Sequence, residues 1–254
     1  MKRQPSSTRL LVRAMPFLVA AVLAAHVQTT PALSQARPSY VLAVSWQPAF
    51  CETRPKVREC RTQHRRRADA SQFSLHGLWP QPVGRAYCGV DPETVARDKS
   101  GRWRDLQMDR LSPQLWRRLK TAMPGTMSGL ERHEWIKHGT CMAGADPRSY
   151  YEASLDLLDA LNASPVRDLF ARRVGESLTS REIRAAIDAA FGKGASDRVR
   201  IACKRDGHRR IIAELTIGLA GGIGEAPDLA ALIAAAPRTE PGCPGGIVDP
   251  VGLQ

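Results

Sequence analysis

Several common motifs and segments are missing from this chain, and their absence narrows the classes of protein it can be. No two of its six cysteines are separated by only two residues, which argues against a cysteine-based zinc knuckle or a thioredoxin-like redox motif. No internal repeat and no low-complexity linker interrupts the sequence. After residue 36 no apolar run is long enough to cross a bilayer as a helix, so we expect no membrane span.

Acidic residues are scarce relative to basic ones. The 254 residues include 37 Lys or Arg and 25 Asp or Glu, which gives a formal net charge of +12. Such a surplus suits contact with nucleic acid, anionic glycans or a membrane surface. An ordinary solvated basic surface explains it equally well, so charge alone does not choose a partner.

The first 36 residues have the three parts of a secretory signal peptide. A basic start is followed by the apolar run Ala14–Ala25 and by small residues that end at Ala36. We therefore predict a signal peptide at 1–36 and an exported domain at 37–254, with a periplasmic or extracellular destination. Residues 37–254 keep 33 basic and 25 acidic residues, a formal charge of +8.

All six cysteines lie in the predicted exported part. An even number of cysteines behind a signal peptide favours disulfides over free thiols. Six cysteines allow 15 pairings, and their positions alone do not select one. They are Cys51, Cys60, Cys88, Cys141, Cys203 and Cys243.

Apolar and β-branched runs predict strands near both ends of this domain. The runs are Tyr40–Gln47, Gln72–Trp79, Val199–Lys204 and Arg209–Leu219. The polar, basic segment Thr53–Ala70 is expected to be a loop, and the Pro- and Gly-rich tail after Pro237 is expected to be irregular.

Capping residues and amphipathic periodicity predict helices in the middle of the chain. The expected N-caps are Ser112, Ser128, Asp146 and Ser164, and a further helix covers 180–191. Gly139 and Gly192 are expected to end two of these helices. Strands, then helices, then strands predict an α+β fold: a single domain with a central, largely antiparallel sheet flanked by helices and stabilised by disulfides.

The stretch "ERHEWIKHGTC", from Glu131 to Cys141, at first suggests a helical zinc site. Such a site needs two histidines four residues apart, so that both rings lie on one helix face. His133 and His138 are five apart, which places their rings about 140° apart around a helix. The spacing therefore argues against a zinc hydrolase.

The same helical geometry favours different pairs. Glu134 and His138 are four apart and share a face, and His133 and Lys137 share an adjacent one. A solvated helix with ordinary ion pairs would show the same spacing. Two histidines within six residues nevertheless favour acid–base chemistry.

A second segment, "FSLHGLWP", places His76 near a strand end. Gly77 allows the backbone to turn, and Trp79 supplies a flat aromatic surface that can stack on a base. The plainer alternatives are a structural histidine and a tryptophan of the core. An imidazole beside an aromatic ring also suits a group that holds and transfers a proton.

The two segments "FSLHGLWP" and "HEWIKHGTC" are similar to the two active-site segments of the ribonuclease T2 family, and "SWQPAFC" resembles that family's first strand. The resemblance is sharp over roughly 30 residues and loose elsewhere. It implies a metal-independent, cofactor-free endoribonuclease that acts on RNA. His76 would be the general acid and His138 the general base.

The resemblance also assigns supporting roles. Glu134 and Lys137 would stabilise the pentacovalent phosphorane, and His133 would help to hold the phosphate. Attack by the ribose 2′-hydroxyl would give a 2′,3′-cyclic phosphate and then a 3′-phosphate. DNA lacks this hydroxyl, so no DNA cleavage is expected.

The family pattern implies the disulfides Cys51–Cys60, Cys88–Cys141 and Cys203–Cys243, and we expect a monomer. Ile136 occupies a position that is polar in many relatives, and we expect it to face the core. A catalytically silent RNA-binding relative is the remaining alternative. It is disfavoured because every catalytic position implied by the resemblance is filled.

Overall fold

The computed structural model of the protein describes Met1 and residues 39–254. Apart from Met1, the predicted signal peptide lies outside the described residues. Within them, no helix combines the length and the apolar character needed to cross a membrane.

The described strands form a six-stranded sheet. They are β1 (Ser39–Ser45), β2 (Ser74–Pro80), β3 (Ser177–Thr179), β4 (Val199–Asp206), β5 (Arg209–Ala220) and β6 (Gly245–Ile247). The spatial order is β2-β1-β5-β6-β3, and β4 also pairs with the long strand β5. Every pair is antiparallel except β5 with β6. The predicted, largely antiparallel α+β fold is confirmed.

Nine α-helices are described in residues 39–254. They are α1 (Gln47–Thr53), α2 (Arg58–Arg61), α3 (Pro92–Lys99), α4 (Pro113–Ala122), α5 (Leu130–Lys137), α6 (Pro147–Asn162), α7 (Pro165–Arg172), α8 (Ser180–Phe191) and α9 (Leu229–Ala235). A 3₁₀ turn at Trp103–Asp105 lies between α3 and α4.

The two faces of β5 have different surroundings. Leu215, Ile217 and Leu219 are buried in the main core, whereas Glu214 and Thr216 on the alternate face are partly exposed. This alternation is the period-two pattern of a strand with one buried face. The polar face of the sheet is therefore available for a functional site.

Side-chain caps explain why several predicted helices begin where they do. Ser112, Asp146 and Ser164 each accept a hydrogen bond from a backbone N–H in the first turn of their helix. A proline follows each cap and presets the helical φ angle. These three predicted helix starts are confirmed.

The predicted cap at Ser128 is wrong. Gly129, with φ +85°, precedes α5, while the Ser128 hydroxyl donates to Glu59 Oε2 over 2.6 Å. A tertiary partner has replaced the local capping bond. The helix also ends at Lys137, one residue before the predicted stop is reached, because the chain tightens into a 3₁₀ turn at Gly139–Cys141.

Three other boundaries differ from the sequence prediction. The first strand ends at Ser45, and Gln47 already begins α1. The expected loop at 53–70 contains α2, and the expected irregular tail contributes β6. Each difference involves a short element: α1 has 7 residues, α2 has 4 and β6 has 3.

All three disulfides implied by the family resemblance are present. They are Cys51–Cys60, Cys88–Cys141 and Cys203–Cys243. Cys141 of the second disulfide lies in the 3₁₀ turn after α5. This disulfide joins cysteines 53 positions apart, whereas Cys51 and Cys60 are only 9 apart.

We expect loss of Cys88–Cys141, in a double alanine variant, to lower the free energy of unfolding by about 4 kcal/mol in the chain-entropy model. The matched control, a double alanine variant of Cys51 and Cys60, should lose only about 2.5 kcal/mol because its loop is shorter. Denaturant unfolding measures both. Equal losses would show that loop length does not set the contribution of these bridges.

Candidate active site

Strand β2 and helix α5 bring the two predicted active-site segments together. The register between β1 and β2 shifts at Ala43 and Val44, which pair with Gly77 and Leu75, so His76 has no partner on β1. Such a bulge re-aims the side chain of the extra residue. His76 is thereby placed against the helix that carries Glu134.

Two carboxylates flank the His76 ring. Its Nδ1 lies 2.6 Å from Glu214 Oε2 on β5, and its Nε2 lies 3.7 Å from Glu134 Oε1. A carboxylate accepts hydrogen bonds, so Nδ1 donates to Glu214. Glu214 was not among the site residues predicted from the sequence. Its signal was a single acid inside the apolar run of β5.

These carboxylates control the protonation of His76. Burial alone would lower the pKa of the imidazole, but the bond to Glu214 and the charges of Glu134 and Glu214 outweigh it. The pKa of His76 is raised above the usual 6.5. This favours the protonated ring in mildly acidic solution.

Glu134 is the buried centre of the cluster, with 1% of its side chain exposed. Trp79 Nε1 donates to Glu134 Oε2 over 2.8 Å, while Oε1 lies 3.8 Å from His133 Nε2. Burial raises the pKa of Glu134, and the charges of His76 and His133 oppose that shift. A buried carboxylate with such partners is typical of a functional site.

A second carboxylate orients His133. Its Nδ1 donates to Asp98 Oδ1 over 2.7 Å, and the Tyr87 hydroxyl donates to the other oxygen of Asp98, also over 2.7 Å. The Trp103 ring stacks on the imidazole at 4.5 Å. The hydrogen-bond partner of His133 is therefore Asp98. Asp98 lies on α3, a helix that the sequence analysis did not predict.

His138 lies in a different environment. Its Nδ1 is buried and has no hydrogen-bond partner among the described residues, and its ring lies 5.5 Å from Trp79. Burial, followed by the positive charges of Lys137, His133 and His76, lowers the pKa of His138 to about 3. The ring is neutral at pH 7 and can accept a proton.

Lys137 and Ile136 complete the segment. Lys137 is half-buried at the end of α5, and its carbonyl accepts from the Tyr87 N–H over 2.9 Å. Ile136 is buried, as predicted. Among the described residues, no group of three or more His, Cys, Asp or Glu side chains has the arrangement of a metal site.

Three comparisons with known proteins bear on this arrangement. The model of the Ribonuclease T2 family matches residues 38–226. "Ribonuclease I" of Escherichia coli K12 is 30% identical over 71% of this chain and 74% of that protein. "Extracellular ribonuclease LE" of Solanum lycopersicum is 30% identical over 58% of this chain and 62% of that protein.

The fold is also similar to that of solved structures. RNase NT in complex with 5′-AMP gives a TM-score of 0.56 at 21% identity, over 85% of this chain and all of that one. At that identity the likeness concerns the fold alone. Together with the family match, it confirms the fold and the class of enzyme expected from the sequence, an endoribonuclease.

Substitution of Gly77 by alanine should disrupt the cluster. An added Cβ would lie 1.9 Å from Glu134 Oε2 and 2.6 Å from Trp79 Nε1, so the carboxylate must move and lose its hydrogen bond. We expect RNA cleavage to fall sharply and the free energy of unfolding to drop by about 1–3 kcal/mol. Cleavage assays and thermal unfolding measure the two effects.

Gly222→Ala is the matched control, because nothing lies within 4 Å of its added Cβ. It should change stability by no more than about 0.5 kcal/mol and leave cleavage unaltered. Full activity of Gly77→Ala would mean that the close approach of Gly77 to Glu134 does not matter for the reaction.

Proposed function

Because this chain belongs to the ribonuclease T2 family, we propose that it is an exported endoribonuclease that cleaves single-stranded RNA by attack of the 2′-hydroxyl on the adjacent phosphorus. The observation that carries the proposal is the opposite shift of two imidazoles. The pKa of His76 is raised, and that of His138 is lowered to about 3. One ring can donate a proton while the other accepts one.

His138 acts as the general base and His76 as the general acid. Neutral His138 takes the proton of the ribose 2′-hydroxyl, and protonated His76 delivers a proton to the leaving 5′-oxygen. Each step of this kind contributes about 10²–10⁴-fold. The product of the first reaction is a 2′,3′-cyclic phosphate, which a second reaction with water opens to a 3′-phosphate.

The neighbours of these histidines stabilise the phosphorane. Lys137 and His133 supply positive charge near the equatorial oxygens. The buried Glu134 carboxyl, whose Oε1 lies 3.7 Å from His76 Nε2 and 3.8 Å from His133 Nε2, keeps both imidazoles beside the phosphoryl oxygens. Trp79 is held by Glu134 and offers its half-buried ring to a base.

Two carboxylates position the imidazoles. Glu214 holds Nδ1 of His76, and Asp98 holds Nδ1 of His133, so that both rings direct Nε2 towards Glu134 Oε1. Each neutral ring therefore carries its proton on Nδ1, and the proton that His76 transfers is the one on Nε2.

Export and substrate choice follow from other features. The signal-like pattern of residues 1–36 and three disulfides favour a periplasmic or extracellular enzyme. The basic surplus suits the phosphate backbone of RNA. Selectivity against DNA follows from the nucleophile, which DNA lacks.

The product identifies the mechanism. We expect mass spectrometry of short digests to find terminal 2′,3′-cyclic phosphates, and His76→Ala and His138→Ala each to lower kcat/KM for their formation by about 10²–10⁴-fold. His208→Ala is the matched control, since this exposed histidine lies in the turn between β4 and β5.

Direct release of 3′-hydroxyl ends, or cleavage of DNA, would contradict attack by the 2′-hydroxyl. Activity lost in excess chelator and restored by zinc would favour a metal mechanism. Normal activity of either histidine variant would remove the role assigned to that residue.

The rate should depend on pH in two ways. The value of kcat/KM should rise through about pH 3 as His138 loses its proton, and fall above pH 6.5 as His76 loses its own. Glu214→Gln removes a charge that raises the pKa of His76, so the alkaline limb should move to lower pH. The glutamine oxygen can still accept from Nδ1, but the loss of negative charge from this hydrogen bond should also cost about 10-fold in kcat.

Glu225→Gln is the control for this experiment, because Glu225 is exposed and its carboxylate has no contact with His76. It should leave both limbs in place. An unchanged alkaline limb in Glu214→Gln would show that Glu214 does not act on the titrating group.

A further inference from the structure

A groove of about 830 Å³ begins at the proposed general acid. His76, Glu214 and Trp103 line its inner end. From there it extends between the end of α1, where Thr53 and Arg54 lie, and the length of β4 from Arg200 to Arg205. The mechanism described above uses only its inner end.

The outer part of this groove is strongly basic. Arg54, Arg200, Lys204 and Arg205 all line it, and all four are exposed. None of the four has an acidic partner within 4.0 Å among the described residues; the ion pairs of the chain involve other residues.

The two acids that line the groove do not neutralise these cations. Glu214 is bonded to His76, and Glu59 is buried with Oε2 accepting from Ser128. The outer groove therefore keeps an excess of positive charge, which suits an anionic chain.

The dimensions suit more than one nucleotide. Arg205 lies five positions after Arg200, and a strand rises about 3.3 Å per residue, so the charges that line the groove extend along β4 over about 16 Å. Arg54 faces the same groove from α1. A row of cations of this length can contact successive backbone phosphates.

The residues that line the groove indicate which side of the cleaved bond it would bind. It is lined by His76, the proposed proton donor to the leaving 5′-oxygen, and not by His138, Lys137 or Trp79. In an in-line displacement the leaving group departs on the side of the acid, away from the base. The strand that leaves is the part of the RNA on the 3′ side of the cleaved bond.

We propose that this groove is a phosphate-binding subsite for the RNA segment 3′ of the cleaved bond, with Arg54, Arg200, Lys204 and Arg205 as its contacts. The inference rests on the proposed function, because the direction comes from the role of His76. It adds a binding surface that increases affinity for long RNA without taking part in the chemistry.

The test uses oligonucleotides with one ribonucleotide in an otherwise deoxy chain, so that a single bond can be cleaved. One substrate carries six nucleotides on the 3′ side of this bond and one on the 5′ side; its mirror image carries the reverse. A dinucleotide, with no further phosphate, is the third substrate. The variant R200Q/K204Q/R205Q is compared with wild type by kcat/KM.

For the wild type at low salt, we expect kcat/KM to be about 10-fold or more higher on the 3′-extended substrate than on the dinucleotide. The triple variant should lose this difference. Cleavage of the dinucleotide and of the mirror substrate should be unchanged in the variant. The slope of log kcat/KM against log salt on the 3′-extended substrate should become shallower by about 2, at about 0.7 per phosphate contact.

The control R110Q/R181Q/K193Q removes the same charge at exposed positions outside the groove and should keep the gain. Arg54→Gln, on the opposite wall of the groove, should lose part of the increase in kcat/KM from the 3′ extension. This single variant replaces the triple variant in the test if the triple variant does not fold. An equal loss in control and groove variants, or loss on the mirror substrate instead, would overturn the proposal. Failure of wild type to cleave even the dinucleotide would contradict the proposed function itself.

Discussion

The burial of the Glu134 carboxylate is the constraint on which the rest of the site depends. With 1% of its side chain exposed, it needs polar partners, and Trp79 and two imidazoles supply them. Its approach to β2 is possible only because residue 77 has no Cβ. Glu134 of α5 thus holds Trp79 of β2 by a hydrogen bond and lies within 4 Å of the Nε2 atoms of His76 and His133.

The two proposed catalytic histidines differ because their carboxylate partners differ. His76 donates to Glu214, and this bond together with nearby negative charge overcomes the effect of burial on its pKa. His138 has no such partner, so burial and the charge of Lys137 act on it without opposition. Glu214, which has no proposed contact with the phosphate, therefore helps to set the opposite protonation states that the proposed acid and base need.

Sequence patterns predicted those parts of the molecule that depend on local physics. Caps such as Asp146 and the apolar, β-branched run of β5 carry their own signals, and the motif around His76 was long enough to identify. Glu214 and Asp98 could not be found in this way, because they act on histidines 138 and 35 residues away in the chain. Ser128 failed as a cap for the same reason, since a distant Glu59 binds its hydroxyl. The disulfide pairing came from resemblance rather than from spacing.

Strand β5 connects the chemistry to the proposed binding groove. Its alternation sends Leu215 and Ile217 into the core and leaves Glu214 on the opposite face, level with Ala202 of β4 and Ser45 of β1. Glu214, which binds the proposed general acid His76, therefore lies on the same face of the sheet as Arg200 of β4. If long RNA occupies that face, the leaving strand passes directly over the group that must protonate it. Binding far from the cleaved bond would then help to align the 5′-oxygen with His76, which would favour cleavage of long chains over short ones.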